Sequence, residues 1–578
     1  MKLIVKYVWR YKRYLLLSLL GVAGFVLIQM GVPTLLKRII NDALIGEQPD
    51  LLVRISLLIV AIMVIGAAGE ICMAYANSRI ATNVIRDIRN DLFVKTQSFS
   101  HNEFDRFSIS SLVTSTTSDA YQIMIFVQSM LRSILITPVM TVSGFILISN
   151  TNKNMFWVVA GATPLLLLGV YLISRASRPY SQTQQKTLDK INLILREGLS
   201  GLRVIRAFRN EEFQAWRFEE VNEQYCGVSK TVFRIMSIAQ PGFYLLFNTM
   251  IVLVIWLGSQ AVGAGTLDVG TLNASIEYIF HILFSFLMLA VLFIMYPRAS
   301  VSAQRIQRVL DSTPTIDENL EHGKTEGLPG RRGTITFENV TFAYADSEEA
   351  VLEDISFTVE AGQTVAFIGS TGSGKSTLIQ LVPRVYDVSK GRILVDGIDV
   401  RDYNIHALRS KIGYIPQKAQ LFTGTIAENL RLGRPEAGQS DLEQAADIAQ
   451  AADFIAQKED GFETGIAEGG ANLSGGQRQR LSIARAIVKQ PEIYIFDDSF
   501  SALDYATDLK LRTRLREEIT GATMLIVAQR IGTIRHADKI IVLNEGRIVA
   551  QGTHERLLIE SGIYYDIAIS QLSEEELR

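Results

Sequence analysis

The sequence predicts two folds in tandem: an all-α six-helix transmembrane domain with long cytoplasmic helical extensions, followed by an α/β P-loop domain. Three observations carry this. Six apolar runs of membrane-crossing length all lie before Pro297, a polar linker follows them, and beyond it β-type runs alternate with helical stretches, one interrupted by the glycine-rich loop GSTGSGKST. At 578 residues the chain exceeds one hydrophobic core, at roughly 100 to 200 residues per domain. Its 48% hydrophobic and 20% charged residues average an apolar part with an ordinary soluble part.

The runs lie near Tyr14 to Leu36, Ile55 to Asn77, Phe126 to Ser149, Met155 to Ser174, Gly242 to Val262 and Ile276 to Tyr296. About 20 apolar residues are needed because a helix rises about 1.5 Å per residue across hydrocarbon about 30 Å thick. Pro33, Pro138 and Pro164 fall within runs, as membrane helices tolerate when neighbours satisfy the freed backbone.

Basic residues orient the spans. Lys2, Lys6, Arg10, Lys12 and Arg13 precede the first, and the segments after the second and fourth are rich in Arg and Lys, whereas residues 263–270 have neither. By the positive-inside rule both termini are cytoplasmic. The two long basic segments have helical periodicity and read as extensions of the membrane helices. MKLIVKYVWRYKRY reads as an amphipathic interfacial helix, without a signal-peptide cleavage site. The polar stretch Asp311 to Gly333 reads as an interdomain linker, giving a membrane domain over 1–310, a linker over 311–333 and a soluble domain over 334–578. Cys72 and Cys226 form no metal spacing or disulfide framework. The net charge of −2 gives no reason to expect nucleic acid, and the six spans exclude a soluble enzyme acting on it.

The loop GSTGSGKST, Gly369, Ser370, Thr371, Gly372, Ser373, Gly374, Lys375, Ser376 and Thr377, follows the apolar strand TVAFI and precedes the helical run LIQLV. This is a P-loop in the context it requires. Its glycines let backbone amides curl around phosphates, Lys375 supplies charge to the β and γ phosphates, and Ser376 is placed to hold Mg²⁺. Further on, the apolar strand IYIF ends in Asp497, placed to hold Mg²⁺ through water. Between them, LSGGQ opens the amphipathic helix RQRLSIARAIV. Ser474, Gly475, Gly476 and Gln477 therefore sit where a helix points amides at an anion.

With LSGGQ the chain resembles the ATP-binding cassette family, and the order of its parts resembles exporter-type half-transporters over the whole chain. EGLSGLRVIRAF and SHNEFDRF match regions of the two cytoplasmic extensions in that group. The resemblance implies that two cassettes sandwich two ATP molecules, each signature serving the opposite subunit's nucleotide. It implies adenine stacking for Tyr344, a catalytic and Mg²⁺-holding role for Gln417 of IGYIPQ, and a place at the nucleotide for Asp504 of SALD.

Two positions depart from the family pattern. Asp498 stands where Glu polarises the attacking water, one methylene short, and Gln529 stands in AQR where the pattern has His. A misplacement of about 1 Å costs on the order of 10²-fold in rate, and Gln carries neither the charge nor the proton of an imidazole. Together they imply a site that binds ATP more than it hydrolyses it. The chain then resembles the degenerate-site subunit of bacterial heterodimeric multidrug exporters, lending its intact signature to a partner with a competent site.

Charged residues inside spans are expensive and mark candidate pathways: Glu70, Arg132, and Glu277 with His281 at i and i+4. The cargo expected from the resemblance is a hydrophobic or amphipathic small molecule, moved across a bacterial cell membrane with lipids as surroundings. Lipid or peptide export, and an ATP-gated channel or regulatory subunit, are the alternative readings.

Overall fold

The computed structural model describes residues 1–571, apart from Asn152, Asn319, Ala345, Asp346 and Glu348. It divides into two compact units, one of Met1–Gln97 with Ile109–Ser312, the other of Ser98–Ser108 with the chain from Thr313 onward.

The first unit is helical. Among the described residues five helices are long and apolar enough to cross a membrane: Lys12–Leu44, Pro49–Gln97, Ile109–Ser149, Glu211–Gly263 and Val269–Asp311. They contain five of the six expected spans. The remaining span, Met155 to Ser174, lies partly outside the residues whose side chains are described; it falls in the helix Lys153–Ser200, with Met155–Leu165 as a shorter apolar stretch. So the count of six is met in part. The helix Pro49–Gln97 has 49 residues, about 70 Å at helical rise and over twice the hydrocarbon thickness. Its apolar half exposes Leu57, Val60, Val64 and Ile71, side chains suited to lipid and not to water.

The first two spans pack at backbone distance. A methyl at Gly21 would stand 2.6 Å from the carbonyl oxygen of Gly69, and one at Gly24 would stand 3.0 Å from the Gly69 Cα. Small residues permit this approach, which van der Waals contact rewards within a membrane. Nearby, the buried Ser18 hydroxyl donates to Asn77 Oδ1 at 2.7 Å. The N-terminal helix Lys2–Trp9 is amphipathic as expected, but Leu3, Ile4, Tyr7 and Val8 are buried within the protein. Tyr7 donates to Asp91, and Tyr11 donates to Asp87 at 2.6 Å. Its apolar face is therefore used on the long helix Pro49–Gln97, leaving Val5 and Trp9 outward.

The second unit is α/β. Its larger sheet has the order Arg547–Gly552, Lys539–Asn544, Thr364–Gly369, Thr523–Val527, Ile493–Asp497, Ile412–Ile415, parallel except at the Arg547–Gly552 edge. The central strands are apolar and buried end to end, as strands covered on both faces must be. A separate four-stranded sheet, Leu352–Val359, Ile335–Phe342, Lys390–Val395 and Ile398–Asp399, is antiparallel. The expectation of a largely parallel sheet thus holds for the larger one only. Alternating burial in Ile335–Phe342 shows why, since one face is core and the other is not.

The stretch read as an interdomain linker is hydrogen-bonded to this unit. Lys324 N–H donates to the Asp402 carbonyl, Leu328 N–H to the Asp396 carbonyl, and Gly333 N–H to Asp396 Oδ1 at 2.7 Å. The helix His101–Phe107 also belongs here. Its capping box pairs Ser100 with Glu103, the buried Glu103 accepts from Thr315 N–H at 3.1 Å, and His101 meets Tyr386 edge-on.

Candidate functional site

The P-loop lies between the strand Thr364–Gly369 and the helix Lys375–Leu381. Gly374 holds φ at +91° as the helix cap, and a Cβ there would meet Leu352 at 2.7 Å, so the turn requires glycine. Lys375 Nζ donates to the carbonyls of Gly369 (2.9 Å) and Ser370 (2.7 Å) and to Ser373 Oγ at 3.3 Å. Burial lowers its pKa, opposed by Asp498 and Asp497. Ser376 Oγ donates to Asp497 Oδ1 at 2.6 Å, and Tyr414 donates to Asp497 Oδ2 at 3.1 Å. Thr377 Oγ1 shares a hydrogen bond of 2.9 Å with the Tyr344 hydroxyl. The Tyr344 ring stands edge-on to Phe342 and Tyr386.

Asp498 follows at the strand end, buried, with φ at +46°, a left-handed conformation that Asp tolerates better than most residues. Its Oδ2 accepts from two amides, Gln417 Nε2 at 3.1 Å and Gln529 Nε2 at 2.9 Å. Burial raises its pKa, opposed by the Gln417 hydrogen bond and reinforced by the neighbouring Asp497. The two departures from the family pattern therefore touch each other. Nothing in their local sequence announces it; they meet because the strands Thr523–Val527 and Ile493–Asp497 are neighbours in register, Val527 opposite Asp497.

The signature forms the start of the helix Gly475–Val488. Ser474 Oγ accepts from Gln477 N–H at 3.2 Å, and Gln477 Oε1 accepts from Ser474 N–H at 2.9 Å, a reciprocal cap. A Cβ at Gly475 would meet nothing within 4 Å. Asp504 caps the helix Tyr505–Glu518 by accepting from Thr507 N–H at 3.0 Å, a bond that lowers its pKa.

These elements correspond to two family profiles. One, described as the ABC transporter transmembrane region, matches residues 15–287, and the other, described as ABC transporter, matches 352–501. An uncharacterized ABC transporter ATP-binding protein of Mycobacterium tuberculosis (strain CDC 1551 / Oshkosh) is 37% identical over 566 residues, 97% of this chain and 96% of the relative. The chain belongs to the ABC transporter family. It is an exporter-type half-transporter, a membrane protein in which one transmembrane region is fused to one ATP-binding cassette. As such it binds and hydrolyses ATP and works as a dimer of half-transporters. An ATP-dependent lipid A-core flippase of Yersinia pestis bv. Antiqua is 30% identical over 532 residues, 92% of this chain and 90% of the flippase. A solved structure, described as a bacterial Atm1-family ABC exporter with ATP bound, superposes with a TM-score of 0.84 over 97% of this chain and 99% of that one. At 24% identity, that likeness speaks for the fold of this ABC half-transporter.

In the membrane unit the charged candidates fall into two pairs. Arg132 lies 3.9 Å from Glu70, joining the second and third spans, and His281 lies 4.0 Å from Glu277 on the last. The first pairing was missed in the sequence. Both residues sit six or seven positions inside the cytoplasmic ends read for their spans, and comparable depth was the available signal. Phe280 stacks with Phe284 and meets Phe247 edge-on.

Proposed function

We propose that this half-transporter supplies the degenerate ATP site of a heterodimeric exporter and lends its signature to the partner's competent site. The observation that carries this is Asp498: one methylene shorter than the usual Glu, it has Oδ2 engaged by Gln417 and Gln529. A carboxylate acts as general base only within reach of the proton it takes. Here Gln529 donates to it and has no proton to exchange, so the site favours holding nucleotide over turning it over. Lys375 would exchange its contacts with the loop's own oxygens for those of the phosphates. Ser376 and Asp497, which already touch, together with the side-chain carbonyl of Gln417 would supply an all-oxygen set, which suits Mg²⁺. Bound there, the ion would neutralise phosphate charge. Tyr344 would stack on adenine, while Ser474, Gly475, Gly476, Gln477 and Asp504 would face the partner's nucleotide.

The domain limits that go with this reading are 1–310, 311–333 and 334–578, with both termini cytoplasmic and a bacterial cell membrane as the site of action. The cargo would be hydrophobic or amphipathic. The half-exposed ion pair of Glu70 with Arg132 and the contact of Glu277 with the more buried His281 supply polar groups amid apolar walls, where ionisable groups usually serve a pathway. A lipid is the second reading, favoured by the flippase relative.

The deciding experiment measures ATP turnover by the purified full-length chain in nanodiscs, alone and mixed with a half-transporter from the same organism that carries Glu and His at the positions of Asp498 and Gln529. Low turnover alone and restored turnover in the mixture are expected. Full turnover by the chain alone would overturn the heterodimer. Stimulation compared across cationic dyes, peptides and lipids separates the cargo classes.

A further inference from the structure

We propose that Tyr414 is a positioning residue for Asp497, and that its hydroxyl sets how well this site takes a divalent cation together with ATP. The strand Ile412–Ile415 runs parallel beside Ile493–Asp497, with Tyr414 opposite Ile495. From there its hydroxyl reaches Asp497 Oδ2 at 3.1 Å, while Ser376 Oγ holds Oδ1 at 2.6 Å. The two carboxylate oxygens are thus gripped from opposite partners, one on the P-loop helix and one on the neighbouring strand.

The two grips are not equivalent. Ser376 is itself read as a metal-holding oxygen; once it is so engaged, its hydroxyl no longer serves Asp497 alone, and Tyr414 remains the fixed donor. A carboxylate's terminal torsion is broad, so without that donor Asp497 turns more freely and a cation that demands near-ideal octahedral geometry is held less well. Asp497 is 3% exposed, which leaves water little room to replace the lost bond. The Tyr414 ring borders a groove of about 520 Å³ lined by Val385, Phe422 and Leu432.

The inference rests on Ser376 and Asp497 as metal-holding oxygens, and the test separates the two. The full-length chain in nanodiscs is titrated with a fluorescent ATP analogue across Mg²⁺ concentrations and in EDTA, with Mn²⁺ binding followed by electron paramagnetic resonance. Tyr414→Phe keeps the ring and removes the bond. The half-saturating Mg²⁺ should rise about ten-fold, as expected for a hydrogen bond to a charged group, and Mn²⁺ binding should weaken in step. Affinity in EDTA should stay within about two-fold. Tyr414→Met is a second variant expected to show the same split, with thermal unfolding confirming that each is folded. If Asp497→Asn shifts the Mg²⁺ dependence and neither Tyr414 variant does, the positioning role is wrong while the metal site stands. If Asp497→Asn shifts nothing, the metal reading fails and takes the inference with it. Equal weakening with and without Mg²⁺ would mean a purely structural tyrosine and would also overturn it.

Discussion

Gln529 donates to Asp498 at 2.9 Å, so the two residues by which this cassette departs from its family are a bonded pair and not independent substitutions. Gln417 completes the cluster from the other side. Residues sharing one hydrogen-bond network are coupled, and changes to them do not add.

That coupling predicts the outcome of repair. Asp498→Glu alone leaves the longer carboxylate facing two amides, and Gln529→His alone leaves the short carboxylate. Each should raise ATP turnover of the purified chain only slightly, whereas the double variant should raise it by about 10²-fold, the scale of a 1 Å misplacement. Phosphate release by each variant, measured with and without the partner half-transporter, checks this. Additive single effects would break the link between the two positions.

Gly475 is open within its own chain, so a side chain there disturbs no packing of this cassette. Gly475→Asp should leave folding and this chain's ATP binding unchanged. In the assembled transporter it should abolish most hydrolysis, because the signature would present a carboxylate to the other subunit's phosphates. Nucleotide binding by the variant and turnover by the mixture separate the two effects, and loss of both would point to a local folding defect.

The first two spans depend on backbone contact at Gly21, Gly24 and Gly69. Gly24→Leu, which has no room beside Gly69, should lower the detergent-solubilised chain's unfolding temperature by several degrees. The cost expected of overpacking is about 1–3 kcal/mol. Gly161→Leu, whose site has nothing within 4 Å, should change it little. Equal effects would mean that helix propensity, not packing, decides.

His554 pairs with Tyr564 at 2.7 Å in the C-terminal helices. Its pKa is lowered from 6.5, chiefly by burial and then by Arg535. The unfolded chain therefore binds this proton more readily than the folded one, and stability falls as pH drops through 6.5 toward the lower folded value. His554→Gln, neutral throughout, should remove that contribution, so the difference in unfolding temperature between variant and parent should shift toward the variant between pH 7.5 and 5.5. A difference that does not change with pH would count against it.

Much of this protein is written locally. The spans follow from runs of apolar residues measured against the thickness of hydrocarbon, and the phosphate loop follows from glycines and a lysine between an apolar strand and a helix; both signals occupy a few consecutive turns. Fusion of the two parts follows from their order, and the resemblance to exporters follows from LSGGQ. What only the tertiary structure decided involves residues far apart in sequence. Gln417 lies 81 positions from Asp498, Tyr414 lies 83 from Asp497, Glu103 lies 212 from the Thr315 amide it accepts, and Arg132 meets Glu70 from a different span. Strand order and helix packing bring these together, and neither is encoded in the local period of a side-chain pattern. The sequence by itself determined that this chain crosses a membrane and carries an ATP cassette. The fold decided that Asp498 accepts from two amides, because the neighbouring strands Thr523–Val527, Ile493–Asp497 and Ile412–Ile415 end just before Gln529, Asp498 and Gln417 and bring the three together.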